Sequence, residues 1–118
     1  MKLPNGDRAI VDIKKIRDYC LNPMHPRGKH KARLFKARLG LTQDHADELR
    51  KGLLEAALNH DAVEGIHDRY GKRYIIDFIM TLADRKAAIR SYWIIRKRDT
   101  FPRLSTCFIL KQRGDKSG

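Results

Sequence analysis

The interval between apolar residues changes midway along the chain, from three and four residues to two. Before the change, Ile13, Ile16 and Cys20 recur at helical spacing behind Asp12, whose carboxylate can cap a first turn. The helix this predicts ends by Asn22, because Pro23 and Pro26 follow. A second helix is expected from about Lys29. It places Ala32, Phe35 and Leu39 on one stripe and Lys29, Arg33 and Lys36 on the neighbouring one, with Gly40 as its stop. Thr42 can cap a third helix, with Ala46, Leu49, Leu53, Ala56 and Ala57 inside and Glu48, Lys51 and Glu55 outside, fading near Asn59.

From residue 63 the alternation is that of strands. Residues 63–70 form a weak strand, and Tyr70-Gly71-Lys72 turns into a stronger one from Arg73 to Leu82. After a turn at Ala83 to Lys86, a third strand sets Ile89, Ser91, Trp93 and Ile95 against Arg90, Tyr92, Ile94 and Arg96. A last strand from Arg103 to Lys111 sets Arg103, Ser105, Cys107 and Ile109 against Leu104, Thr106, Phe108 and Leu110. Short connections imply antiparallel neighbours. The expected fold is α+β: N-terminal helices, over about 11–59, packed on one face of a four-stranded antiparallel meander over about 63–111, with a frayed tail at 112–118. A length of 118 residues suits a single domain spanning 1–118.

Charge changes this picture more than composition does. An apolar fraction of 42% suffices for a core, while a formal net charge of +12 draws in polyanions: RNA, DNA, an anionic membrane or an acidic protein. Residues 42–68 hold seven acids against Arg50 and Lys51, whereas residues 85–103 hold seven bases against Asp99, so a basic and an acidic side are expected. The first thirty residues carry no signal-like apolar run and no segment reaches the roughly 20 apolar residues of a membrane span, so a soluble, cytoplasmic protein is expected. Cys20 and Cys107, far apart among apolar neighbours, read as two buried thiols in preference to a disulfide.

The densest cationic stretch, residues 24–40, has no carboxylate. Its Lys29, Arg33 and Lys36, beside a sheet face offering Arg90, Tyr92, Arg96 and Thr106, form a reasonable cradle for a phosphodiester, with Tyr74, Tyr92 and Phe108 as stacking rings. His25 and His30 add groups that exchange protons near neutral pH, which RNA cleavage without a metal requires beside cations for the phosphate. The same charges can equally be a solvated face. A metal site is disfavoured, because His25 and His30 stand across a Pro-Gly loop among cations with no acid or cysteine near; no metal or cofactor is expected. The chain has no Walker-type or dinucleotide glycine motif.

The blocks L-P-N-G-D-R-A (Leu3 to Ala9), H-P-R-G-K-H-K-A (His25 to Ala32), Y-W-I-I (Tyr92 to Ile95) and P-R-L-S-T (Pro102 to Thr106) resemble a small bacterial family of uncharacterised function. Its members are short cytosolic proteins or C-terminal modules of polymorphic toxins. That family in turn resembles the barnase, EndoU, colicin and RelE superfamily of ribonucleases. The resemblance implies a helix-borne His30 with Lys31, sheet-borne phosphate contacts from Arg90 and Thr106, and an acidic antitoxin or immunity protein as partner. Phe108 departs from the superfamily's pattern, which often has a tyrosine two residues past the threonine.

The expectation is therefore a metal-independent endoribonuclease of the toxin type, cleaving RNA by 2′-hydroxyl attack. His30 serves as base or acid, His25 in the complementary role, Lys31, Arg90 and Arg103 on the phosphate, and Thr106 to orient it. The alternative is a non-catalytic basic RNA-binding or protein-interaction module on the same face. A third reading is a subunit of a larger assembly.

Overall fold

Asp12 caps the first helical turn as expected, its Oδ1 accepting from the Lys14 backbone N–H at 2.9 Å in the computed structural model, which describes residues 1–111. The frayed tail expected at 112–118 lies outside the described residues. Only Ile13–Lys15 (α1) is α-helical; Ile16–Cys20 continues as a π turn, closed by the Leu21 N–H to the Ile16 carbonyl at 2.9 Å. The wider turn sends Ile16, Cys20 and Leu21 into the core. Helix α2 (Lys29–Leu39) buries Ala32, Phe35 and Leu39 and stops at Gly40, whose φ of 71° is the left-handed C-terminal conformation glycine adopts freely. Thr42 and His45 cap each other reciprocally around a short 3-10 turn, the Thr42 N–H donating to His45 Nδ1 at 3.0 Å. Helix α3 (Ala46–Asn59) follows and buries the expected stripe of Ala46, Leu49, Leu53, Ala56 and Ala57.

The strands β1 (Val63–Asp68), β2 (Gly71–Leu82), β3 (Arg85–Arg96) and β4 (Arg103–Ile109) form one antiparallel sheet in sequential order. A two-residue turn at Ala83-Asp84, with Ala83 at φ 53°, fixes the β2–β3 register from Leu82↔Arg85 to Gly71↔Arg96. Ile89, Ser91 and Trp93 of β3 and Tyr74, Ile76, Phe78 and Met80 of β2 are buried beneath the helices. Ser91 is the single buried polar residue of this layer; its hydroxyl donates to the Ile76 carbonyl at 2.8 Å and accepts from Trp93 Nε1–H at 2.9 Å.

Strand β4 departs from strict alternation. Tyr92 pairs with Thr106 and Trp93 with Leu104, so Ser105 is an extra residue in a bulge. The bulge shifts the phase by one, and Leu104 joins Cys107 and Ile109 on the buried face instead of opposing them. The N-terminal segment adds a pairing no pattern announced: the Ile10 N–H donates to the Pro102 carbonyl at 2.9 Å and the Leu104 N–H to the Ile10 carbonyl at 3.0 Å.

Candidate functional site

The loop that launches α2 is built around His25. Its Nδ1 accepts from the backbone N–H groups of Arg27 and Gly28, both at 3.0 Å, and its carbonyl accepts from the Lys29 N–H at 3.0 Å. Two N–H donors on Nδ1 leave the neutral ring with its hydrogen on Nε2. The imidazole meets the Tyr19 ring edge-on at 4.8 Å between centroids, and Lys31 Nζ donates to the Tyr19 hydroxyl at 2.9 Å. Gly28 is needed for this closeness, since a Cβ there would lie 2.1 Å from the Tyr19 carbonyl oxygen.

Behind this patch, Cys107 donates its S–H to the Cys20 sulfur at 3.9 Å. That bond, helped by the Lys31 charge, outweighs burial and lowers the Cys20 thiol to about 7; the same bond and burial push Cys107 up. Thr106 Oγ1 is buried and has no hydrogen-bond partner.

At 100° per residue, Lys31 and Lys29 leave α2 on opposite flanks. On the Lys29 flank, Lys29, Arg33 and Lys36 rim a groove of about 400 Å³ floored by Leu21, Pro23, Ala32 and Leu41 and closed opposite by Thr42, Gln43 and Asp44. His30 stands exposed on the crest between the flanks.

Arg90, Tyr92 and Arg96 alternate to the sheet face away from the helices. Arg90 is held there by Asp77 through one guanidinium edge, Nε to Oδ1 at 2.8 Å and Nη2 to Oδ2 at 2.9 Å, which raises its already high pKa. Arg96 and Arg103 share Asp99 at 2.8 and 3.2 Å, and the Arg96 bond, followed by that of Arg103, holds the carboxylate below its usual range. Arg103 also lies over the Phe101 ring, 5.0 Å from its centroid, and Tyr92 packs against Phe108 at 5.9 Å.

Of the residues expected to form one cradle, the structure gathers His25, Lys31 and Thr106 around Tyr19 and Cys20. It sets Lys29, Arg33 and Lys36 along the groove, and leaves Arg90, Tyr92, Arg96 and Arg103 on the sheet, three of them paired with carboxylates. Sequence reasoning missed Tyr19, Asp77 and Asp99. Asp77 was within reach, because the Ala83-Asp84 turn alone places it opposite Arg90. Among the described residues no three His, Cys, Asp or Glu side chains converge as metal ligands would, and no helix is long and apolar enough to cross a membrane.

Helices over one face of a sequential four-stranded antiparallel sheet define an α+β class that a solved structure shares. A chain of the contact-dependent growth inhibition toxin–immunity protein complex from Klebsiella pneumoniae 342 matches with a TM-score of 0.66 over 86% of this chain and 99% of that one, at 18% identity. At such identity the likeness is one of fold. Residues 2–111 match the family described as Domain of unknown function (DUF6883), and the chain belongs to that family. No curated protein matches it.

Proposed function

We propose that this protein is a toxin-type endoribonuclease that cleaves RNA without a metal. The observation that carries the reading is the constellation that the first turn of α2 makes with the π turn and the loop between them: the Lys31 ammonium on the Tyr19 hydroxyl at 2.9 Å, His25 against the same ring, and His30 exposed beside Lys31. Cleavage by the 2′-hydroxyl needs a base, an acid and a cation at one phosphate. His30 takes the 2′-hydroxyl proton as the 2′-oxygen bonds to phosphorus. The bond to the 5′-oxygen breaks, and that oxygen receives a proton from the Tyr19 hydroxyl, leaving a 2′,3′-cyclic phosphate and a 5′-hydroxyl, while His25, whose Nδ1 is occupied by two backbone N–H groups, holds the Tyr19 ring in place. Lys31 stabilises the charge on the phosphoryl oxygens, and Lys29, Arg33 and Lys36 hold neighbouring phosphates along the groove. Thr106, half-buried with its Oγ1 shielded from solvent, supports this floor. Tyr19 thus supplies the phenol that Phe108 lacks.

The fold likeness to a chain of a toxin–immunity complex supports the toxin class, and a +12 surface suits an acidic immunity-type protein as inhibitor. The test is incubation of the purified protein with tRNA, rRNA and mRNA in EDTA beside His30→Ala and Tyr19→Phe. Cyclic-phosphate ends are expected from the wild type, with rates reduced by about 10²-fold or more in the variants. Intact RNA throughout refutes the reading.

A second reading, a non-catalytic RNA-binding module, is favoured by the pairing of Arg90 with Asp77 and of Arg96 and Arg103 with Asp99, which leaves the sheet arginines engaged elsewhere than on a reacting phosphate. It gives binding that weakens steeply with salt, no cleavage, and indifference to His30→Ala.

A further inference from the structure

Cys20 and Cys107 take no part in this chemistry, yet they face each other, Cys20 from irregular backbone and Cys107 from a regular pairing with Ser91 close to a bulge. Cys20 ends the π turn, and Cys107 lies two residues past the bulged Ser105. Their sulfurs are 3.9 Å apart, so a bond of about 2.05 Å requires an approach of roughly 2 Å. A π turn and a bulge are places where backbone can yield by that much without breaking a regular ladder. The donor–acceptor pairing and the Lys31 charge favour a thiolate on Cys20, the nucleophilic form. Neither residue is exposed to solvent, so the oxidant must be no larger than a few atoms and must enter through brief opening of the edge strand β4.

We propose that Cys20 and Cys107 form a peroxide-sensitive redox site that closes reversibly to an intramolecular disulfide. The Cys20 thiolate attacks one oxygen of hydrogen peroxide, the O–O bond breaks, and the hydroxide that leaves takes up the proton the Cys20 thiol released on ionising, giving a sulfenic acid and water. The Cys107 sulfur attacks the sulfenic sulfur, its proton neutralises the departing hydroxide, and the S–S bond forms. Two thiols lose two electrons, hydrogen peroxide gains them, and two waters result. A small dithiol reverses the step. The bond ties the π turn that carries Tyr19 to β4 and removes the thiolate facing Lys31. An effect on RNA cleavage would rest on the reading above; formation of the bond does not.

The test treats the reduced, folded full chain with hydrogen peroxide or with oxidised glutathione and maps cysteine-containing peptides by mass without reduction. With peroxide the expected product is one Cys20–Cys107 peptide pair, lighter by two hydrogens and reversed by dithiothreitol. With the bulkier glutathione disulfide the bond forms at least tenfold more slowly. In Cys107→Ser, dimedone added together with urea after the peroxide treatment should trap the sulfenic acid on Cys20. Both thiols still free at peroxide doses that oxidise the urea-unfolded chain would overturn the proposal, as would sulfinic acid or an intermolecular bond as the main product. The wild-type map is decisive even if the serine variant fails to fold, and because the readout is mass, its failure is distinct from failure of the ribonuclease reading.

Discussion

Replacing Gly28 and Gly52 by alanine makes the same chemical change in two surroundings, and the structure assigns the two substitutions opposite signs. At Gly28 the backbone sits at φ −86° and ψ −13°, which alanine adopts without strain, so crowding alone decides the outcome. The added Cβ falls 2.1 Å from the Tyr19 carbonyl oxygen, 2.9 Å from its carbon and 3.1 Å from Tyr19 Cδ1. Reaching a tolerable contact of 3.0 Å requires the carbonyl, part of the π turn, to retreat by about 1 Å. Overpacking of this kind costs about 1–3 kcal/mol, and the reduced freedom of the unfolded alanine chain offsets about 0.4–1 kcal/mol of it. A net loss near 1–2 kcal/mol corresponds to roughly 4–10 °C in Tm for a chain of this size. At Gly52, inside α3, the nearest atom is Met80 Sδ at 3.5 Å, an ordinary contact, and alanine's helix preference adds about 0.5–1 kcal/mol, or roughly 2–4 °C. Thermal melts of the three proteins in one buffer, followed by circular dichroism, read both signs at once. A Gly28→Ala protein that melts at or above wild type, or a Gly52→Ala protein that melts below it, refutes the reasoning.

Ser91→Ala strips Trp93 Nε1–H and the Ile76 carbonyl of a partner within the core, and about 1–3 kcal/mol of stability is expected to go with them. The urea midpoint should fall at constant slope, and an unchanged midpoint would count against the network. Asp99 titrates below its usual 3.8 when folded, so the stability from its pairing with Arg96 and Arg103 is complete above that pH and is lost as pH falls through the depressed value. Asp99→Asn should therefore destabilise at neutral pH and converge on wild type in acid melts; a constant offset at every pH would exclude this account. In RNA binding, Arg33→Ala should reduce the slope of log affinity against log salt by about one, while Arg90→Ala, whose charge Asp77 already balances, should leave it nearly unchanged. The reverse ranking would move the nucleic acid to the sheet.

The parts of the fold that the sequence announced are those set by short-range regularity. The buried stripes of α2 and α3 follow from apolar residues three and four apart, the Gly40 stop from its backbone freedom, and the two faces of β3 from strict alternation. The π turn was illegible because Ile13, Ile16 and Cys20 fit an α-helix as well as a turn one residue wider. The bulge at Ser105 was illegible because it needs a partner strand to define it, and the Ile10 pairing because it joins residues distant in sequence. The site was legible in composition but not in arrangement. Lys29 and Lys31 belong to one cationic run, yet helix geometry sends one to the groove and the other to Tyr19. Tyr19 gained meaning only when the π turn and the His25 loop brought three residue types to one ring.

The contacts described above also differ in how far the chain must travel to make them. Arg90 meets Asp77 through a two-residue turn, and Lys31 is 12 residues from Tyr19, but Cys107 is 87 residues from Cys20. The entropy of closing a loop grows with its length, so local pairs form before distant ones when strengths are alike. Alkylation pulses during refolding are expected to find Cys20 and Cys107 protected after Trp93 has reached its native fluorescence; earlier protection would contradict this order. The two sulfurs therefore spend the assembly of the molecule in reach of solvent reagents and the rest of its life sheltered from all but the smallest.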